Sequence, residues 1–62
     1  MNDVYRCIAI PPDHYFDDTH GWKYSVEWCD QHVPSRDWHY AGLGQFVFVR
    51  EQDRTMFTLR WL

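Results

Sequence analysis

Cys29 and His32 are the residues of this chain whose types and spacing come nearest to chemistry. At i, i+3 a thiol and an imidazole lie on one side of a helical turn. That could be half of a zinc knuckle, or a nucleophile beside its base. A structural zinc site presents paired ligands in two knuckles, so His14, His20 or His39 would have to complete this one. A thiol nucleophile needs an orienting group and an oxyanion donor, and neither is spaced for the role. The plainer reading is a buried thiol beside a surface histidine. Asp17 and Asp18 are adjacent in a polar stretch, an arrangement that suits helix capping better than an acid–base pair. Gly42-Leu43-Gly44 lacks the further glycine and the helix-opening context of a phosphate loop, so it reads as a hairpin turn. No catalytic residue, metal ligand or cofactor is expected, and a small metal-binding module stands as an alternative function.

The charges are distributed unevenly, and the distribution carries more information than the net charge of -3. Residues 13–37 hold six acidic side chains against Lys23 and Arg36, whereas residues 38–62 hold three arginines against Glu51 and Asp53. Direct nucleic-acid binding runs on basic patches and is not expected. Asp13, Asp17, Asp18, Glu27 and Asp30 form an acidic arc over a loop and one helix face. Carboxylates at fixed spacing can imitate a row of phosphates and steer a basic partner. Tyr15, Phe16, Tyr24 and Trp28 lie among them and supply apolar anchors, so these nine residues form the candidate partner-binding set. The alternative is a solvated helix face with a soluble loop.

These groups must be held by one small domain, residues 1–62, near the lower limit of length for unaided folding. Four Trp, four Tyr and four Phe bury large areas each, which is how so short a chain can form a core. They either replace missing aliphatic residues or leave a surplus at the surface, as binding patches do. Trp22, Phe46, Phe48, Phe57 and Trp61 form the candidate core set. Two cysteines, Cys7 and Cys29, are no disulfide framework, and free thiols of a cytoplasmic protein are expected. Met1 is followed by no basic start and no long apolar run, so neither a secretory signal nor a membrane span is expected.

Residues 4–10 (VYRCIAI) form a β-branched and aromatic run stopped by Pro11-Pro12, and its continuous apolarity predicts a central strand covered on both faces. Residues 22–33 predict a helix with Trp22, Val26, Cys29 and Val33 inward and Lys23, Glu27, Asp30 and Gln31 outward. Asp17, Asp18 and Thr19 would cap it and Pro34 would end it. Residues 38–41, the Gly42-Leu43-Gly44 turn and residues 45–50 predict a β-hairpin. Residues 51–62 divide: alternation of Phe57, Leu59 and Trp61 favours a further antiparallel strand, whereas a helix opening near Asp53 would bury Met56, Phe57 and Trp61.

Over residues 22–62, the order Trp28-Cys29, Phe46-Val47-Phe48, then Asp53, Phe57, Leu59, Arg60 and Trp61 resembles small uncharacterised proteins encoded by bacteriophages. The resemblance implies a closing helix, and so an α+β domain of order β-α-β-β-α, an antiparallel sheet with helices on one face. The alternative ending is a strand, giving a β-meander plus one helix. The leading expectation of function follows: a non-enzymatic, phage-type inhibitor of a bacterial nucleic-acid-handling defence complex, similar to anti-CRISPR proteins, working in the host cytoplasm. It would block a basic DNA-binding groove on a host protein or nucleoprotein complex, with no membrane partner, as a monomer or weak homo-oligomer. A structural or assembly protein forming an oligomer is the alternative from another class.

Overall fold

The computed structural model describes residues 6–61. In order these form strand β1 (Cys7–Ala9), helix α1 (Lys23–His32), strands β2 (Trp38–Gly42) and β3 (Gln45–Phe48), and helix α2 (Glu51–Arg60). Short 3-10 turns precede α1 at Asp13–Tyr15 and β2 at Ser35–Asp37. The chain is therefore an α+β domain of order β-α-β-β-α, and the helix ending holds. Among the described residues no helix is long and apolar enough to cross a membrane.

The sheet order is β1-β3-β2, both pairings antiparallel. The central strand is β3, not β1, which corrects the first expectation. Pro11 and Pro12 stop β1 after three residues, and it lies at an edge with Ile8 and Ile10 51% and 62% exposed. The apolarity of that stretch reflects an uncovered sheet face, not two covers. Val4 and Tyr5 of the expected strand lie outside the described residues.

Cross-strand rows Cys7–Phe48–Trp38 and Ala9–Phe46–Tyr40 share one face, and Ile8–Val47–His39 shares the other. Both helices pack on the first face. Ala9, Phe46 and Phe48 from the sheet meet Cys29 of α1 and Val33 at its end, and Phe57 of α2 and Trp61 at its end. The Phe57 ring is the hub, with centroids 4.9 Å from Phe46, 5.3 Å from Phe48 and 5.8 Å from Trp28.

In α2 the buried residues are Asp53 and Phe57, continued by Trp61 one turn on, an i, i+4, i+8 stripe. Leu59, which strand alternation would have buried beside Phe57, is 66% exposed. Glu51 and Asp53 place negative charge at the helix N-terminus and Arg60 places positive charge at its C-terminus, both favourable to the helix dipole. In α1 the stripe is rotated from expectation to Ser25, Cys29 and Val33, with Val26 half-buried. Trp22 stands before the first turn at φ -96°, ψ 35°, outside that stripe. The helix ends at extended Val33, just before Pro34.

The hairpin turns through Leu43 and Gly44 at φ 56° and 77°, the doubly left-handed pair of a type I′ turn. Between Tyr40 and Gly42 the register slips by one residue, so Ala41 is an extra residue in β2.

Candidate partner-binding surface

The expected cap of α1 is absent because Asp17 is used elsewhere. Its Oδ1 accepts the Thr19 N–H at 2.7 Å, and its Oδ2 lies 3.2 Å from His20 Nδ1. Backbone bonds in both directions between Asp17 and Gly21 close the loop, with Gly21 at φ 63°. The Thr19 amide, then His20, hold the Asp17 carboxyl below its ordinary pKa, so it stays ionised well into the acid range. The first residue of α1 carries no side-chain cap; the loop has turned back before the helix begins.

This closed loop stands its flanking rings against the hairpin. Phe16 meets Trp22 edge to face at 5.2 Å. Trp22 lies over the turn so closely that a Cβ on Gly44 would sit 3.0 Å from Cζ2 of its indole. Gly44 donates its N–H to the Tyr40 hydroxyl at 3.0 Å, and the Tyr40 ring packs on buried Phe46 at 5.1 Å. Three rings from three segments thus form an open cleft of about 450 Å³, floored by Val26 and rimmed by Lys23 and Glu27. Phe16 and Tyr40 are 47% and 37% exposed, yet both rings are fixed by neighbours. Trp22, expected in the core, is half-buried and forms a wall of the cleft.

Of the acidic arc, Glu27 alone lines the cleft. Glu27 reaches the cleft rim, where its carboxylate is 3.9 Å from Lys23 Nζ. Asp17 and Asp18 belong to the closed loop that supplies Phe16. Asp30 is exposed and shares a flank of α1 with Glu27 at i, i+3, but lies outside the cleft lining and roughly 160° round the helix from Trp28. Asp13 opens the 3-10 turn whose Tyr15 packs edge to face on Trp61 at 4.8 Å.

The aromatic residues of the candidate set divide in the same way. Phe16 walls the cleft, and Tyr15 is half-buried on Trp61. Tyr24, 55% exposed, and Trp28, half-buried on Phe57, border a smaller depression of about 170 Å³ between α1 and α2. Arg60 enters that depression with its guanidinium 4.1 Å from the Trp61 ring. Glu27 borders both hollows. Tyr40 and Gly44 were missed from sequence. The available signal was strand alternation, which puts Tyr40 on the same face as Trp38, next to the glycine turn of the hairpin.

Cys29 and His32 do not act together. Cys29 is fully buried, and burial, then Asp30 and Asp53, push its thiol pKa up to about 12. His32 stacks on Trp28 at 4.5 Å, and its Nδ1 lies 2.9 Å from the Trp28 carbonyl. Both cysteines are free thiols. Among the described residues no three His, Cys, Asp or Glu side chains are grouped to hold a metal ion.

No protein family, curated protein or solved structure matches the chain.

Proposed function

We propose that this chain is a non-enzymatic binding module that docks on a basic surface of a partner protein. The observation that carries this reading is the aromatic cleft. Phe16, Trp22 and Tyr40 leave apolar ring surface in water, and each ring is already held by packing. Fixed, partly exposed aromatic groups bind at low entropic cost, as interface hot spots do. Asp17, Asp18 and Glu27 around them outnumber Lys23, so the local field favours a cationic partner. The resemblance over residues 22–62 extends this to an inhibitor of a nucleic-acid-handling defence complex, similar in kind to anti-CRISPR proteins. Shape-specific blocking suits the cleft better than imitation of a phosphate row, because of the acidic arc only Glu27 lines the cleft that holds the three rings.

The test is inhibition of DNA binding by purified effector complexes, measured with wild-type protein and with a Phe16→Ala/Tyr40→Ala variant at low and high salt. Inhibition that weakens with salt and is lost in the variant is expected. Inhibition retained by the variant, or no complex inhibited, would overturn the proposal.

A second reading, self-assembly, is favoured by one observation. The sheet face without helices exposes Ile8 beside buried Val47. Static light scattering decides it, since a strict monomer at high concentration is incompatible with that role.

A further inference from the structure

Resting on the binding role above, we infer that the cleft receives an arginine side chain of the partner, its guanidinium against the rings and its fork on Glu27. Several residues supply what that group needs. Trp22 offers the largest π surface, with Phe16 set edge to face against it and Tyr40 across the cleft. A cation within about 6 Å of such ring centroids is attracted by their quadrupoles, most strongly by Trp. Glu27 contributes a carboxylate at the rim that can accept two parallel N–H bonds, a geometry arginine satisfies and lysine does not.

Opposing charges at the same place are Lys23 and, when protonated, His20. Lys23 Nζ is 3.9 Å from Glu27 and 5.7 Å from the centre of the Tyr24 ring, so it leans along the helix surface and away from the three cleft rings. It occupies Glu27 weakly, being about half exposed, and an incoming guanidinium can displace it. His20 is turned to Asp17 at 3.2 Å, which leaves its charge locally balanced. An anionic ligand would meet the Glu27 carboxylate in the lining and would find Lys23 already paired to it.

An apolar side chain is the competing occupant, and charge separates the two. The arginine inference requires that removing positive charge from the ligand, with its shape kept, abolishes most of the affinity. It also requires that Lys23→Gln strengthens binding, because the resident competitor for Glu27 is gone.

The experiment is NMR titration of the whole chain with an acetylated, amidated Gly-Arg-Gly peptide and with its citrulline counterpart, a neutral isostere. Saturable shifts are expected at Gly21, Trp22, Tyr40 and Gly44 with the arginine peptide. Citrulline should weaken binding by about ten-fold, the loss of both a cation–π contact and a charge-assisted pair. Glu27→Gln should weaken the arginine peptide by about five-fold, and Lys23→Gln should strengthen it. Both side chains are exposed, so neither change threatens the fold. Equal binding of the two peptides, shifts centred elsewhere, or no saturable shift at millimolar peptide would overturn the inference. If effector inhibition is nevertheless lost in Phe16→Ala/Tyr40→Ala, the binding role stands and only the arginine assignment falls.

Discussion

Replacing Ser25 with alanine should stabilise the domain by about 1.5 kcal/mol. Ser25 lies on the buried stripe of α1, 1% exposed, and its Oγ has no hydrogen-bond partner. A hydroxyl taken from water without a partner costs about 1–3 kcal/mol. Alanine also exceeds serine in helix propensity by up to ~0.5 kcal/mol. Against these gains, deleting one oxygen opens roughly 10 Å³, a loss of about 0.2 kcal/mol at the usual cavity coefficient. The gains win several times over. In a domain of this size the Tm should rise by roughly 6–12 °C. Urea denaturation followed by tryptophan fluorescence provides the assay, with a higher midpoint at unchanged m-value expected. Ser25→Val separates polarity from size, since the added methyl groups overfill the site and should cost about 1–3 kcal/mol. A lower midpoint for Ser25→Ala would refute the reasoning, because it would mean that the hydroxyl donates to a carbonyl one turn back and that this bond is stabilising.

Phe57→Ala removes the ring that joins both layers and should cost about 3–5 kcal/mol, comparable with the whole stability of so small a domain; loss of NMR shift dispersion reads it. Gly44→Ala combines a left-handed φ of 77° with a Cβ only 3.0 Å from Trp22, and should lower stability by about 2 kcal/mol while shifting the Trp22 indole resonance. Burial holds the Cys29 thiol at a pKa of about 12, whereas an unfolded chain releases that proton near about 8.5. The unfolded state therefore loses its proton first. This group leaves stability unchanged below about pH 8.5 and lowers it by up to ~1.4 kcal/mol per pH unit from there to about 12. The wild-type denaturation midpoint should therefore fall relative to that of Cys29→Ala across pH 8–10, so that the two converge. In the native protein a thiol reagent should label Cys7 and spare Cys29.

Strand β3 was legible because Phe46 and Phe48 alternate with Val47 in a run flanked by a glycine turn, and the core set Phe46, Phe48, Phe57 and Trp61 followed from it. The end of the chain was harder, since Phe57, Leu59 and Trp61 alternate like a strand. Only the depth of Asp53, Phe57 and Trp61 shows the helical stripe, with Leu59 in solvent. In β1, apolarity does not mean burial, because Ile8 faces the uncovered side of the sheet. In α1, Ser25 displaced Val26 from the inner stripe, an inversion of hydropathy that periodicity alone would never favour. The acidic positions were readable as charges but not as directions. Asp17 was already committed to its own loop, and Asp30 fell on a different flank from the aromatic pair Tyr24 and Trp28.

The surplus of aromatic residues acquires a physical role from how the rings connect. Phe57 packs on Phe46 at 4.9 Å, and Phe46 packs on Tyr40 at 5.1 Å, so one chain of rings runs from the centre of the core to the cleft wall. A parallel route runs from Trp22 across Gly44, whose added Cβ would also lie 3.7 Å from Ile10. In a domain this small there is no second layer to insulate a surface from the interior. The cleft is the outer shell of the core, and its rings hold their orientation because the core is packed beneath them. Substitutions beneath the cleft are then expected to loosen it before they unfold the chain. Substitutions of its exposed rings should lower stability less than those beneath, least at Phe16, since Tyr40 also packs on Phe46 and accepts the Gly44 N–H. Stability and recognition are most nearly separable at that outermost layer, and Phe16, the more exposed ring, is the position at which binding is removed with the least loss of stability.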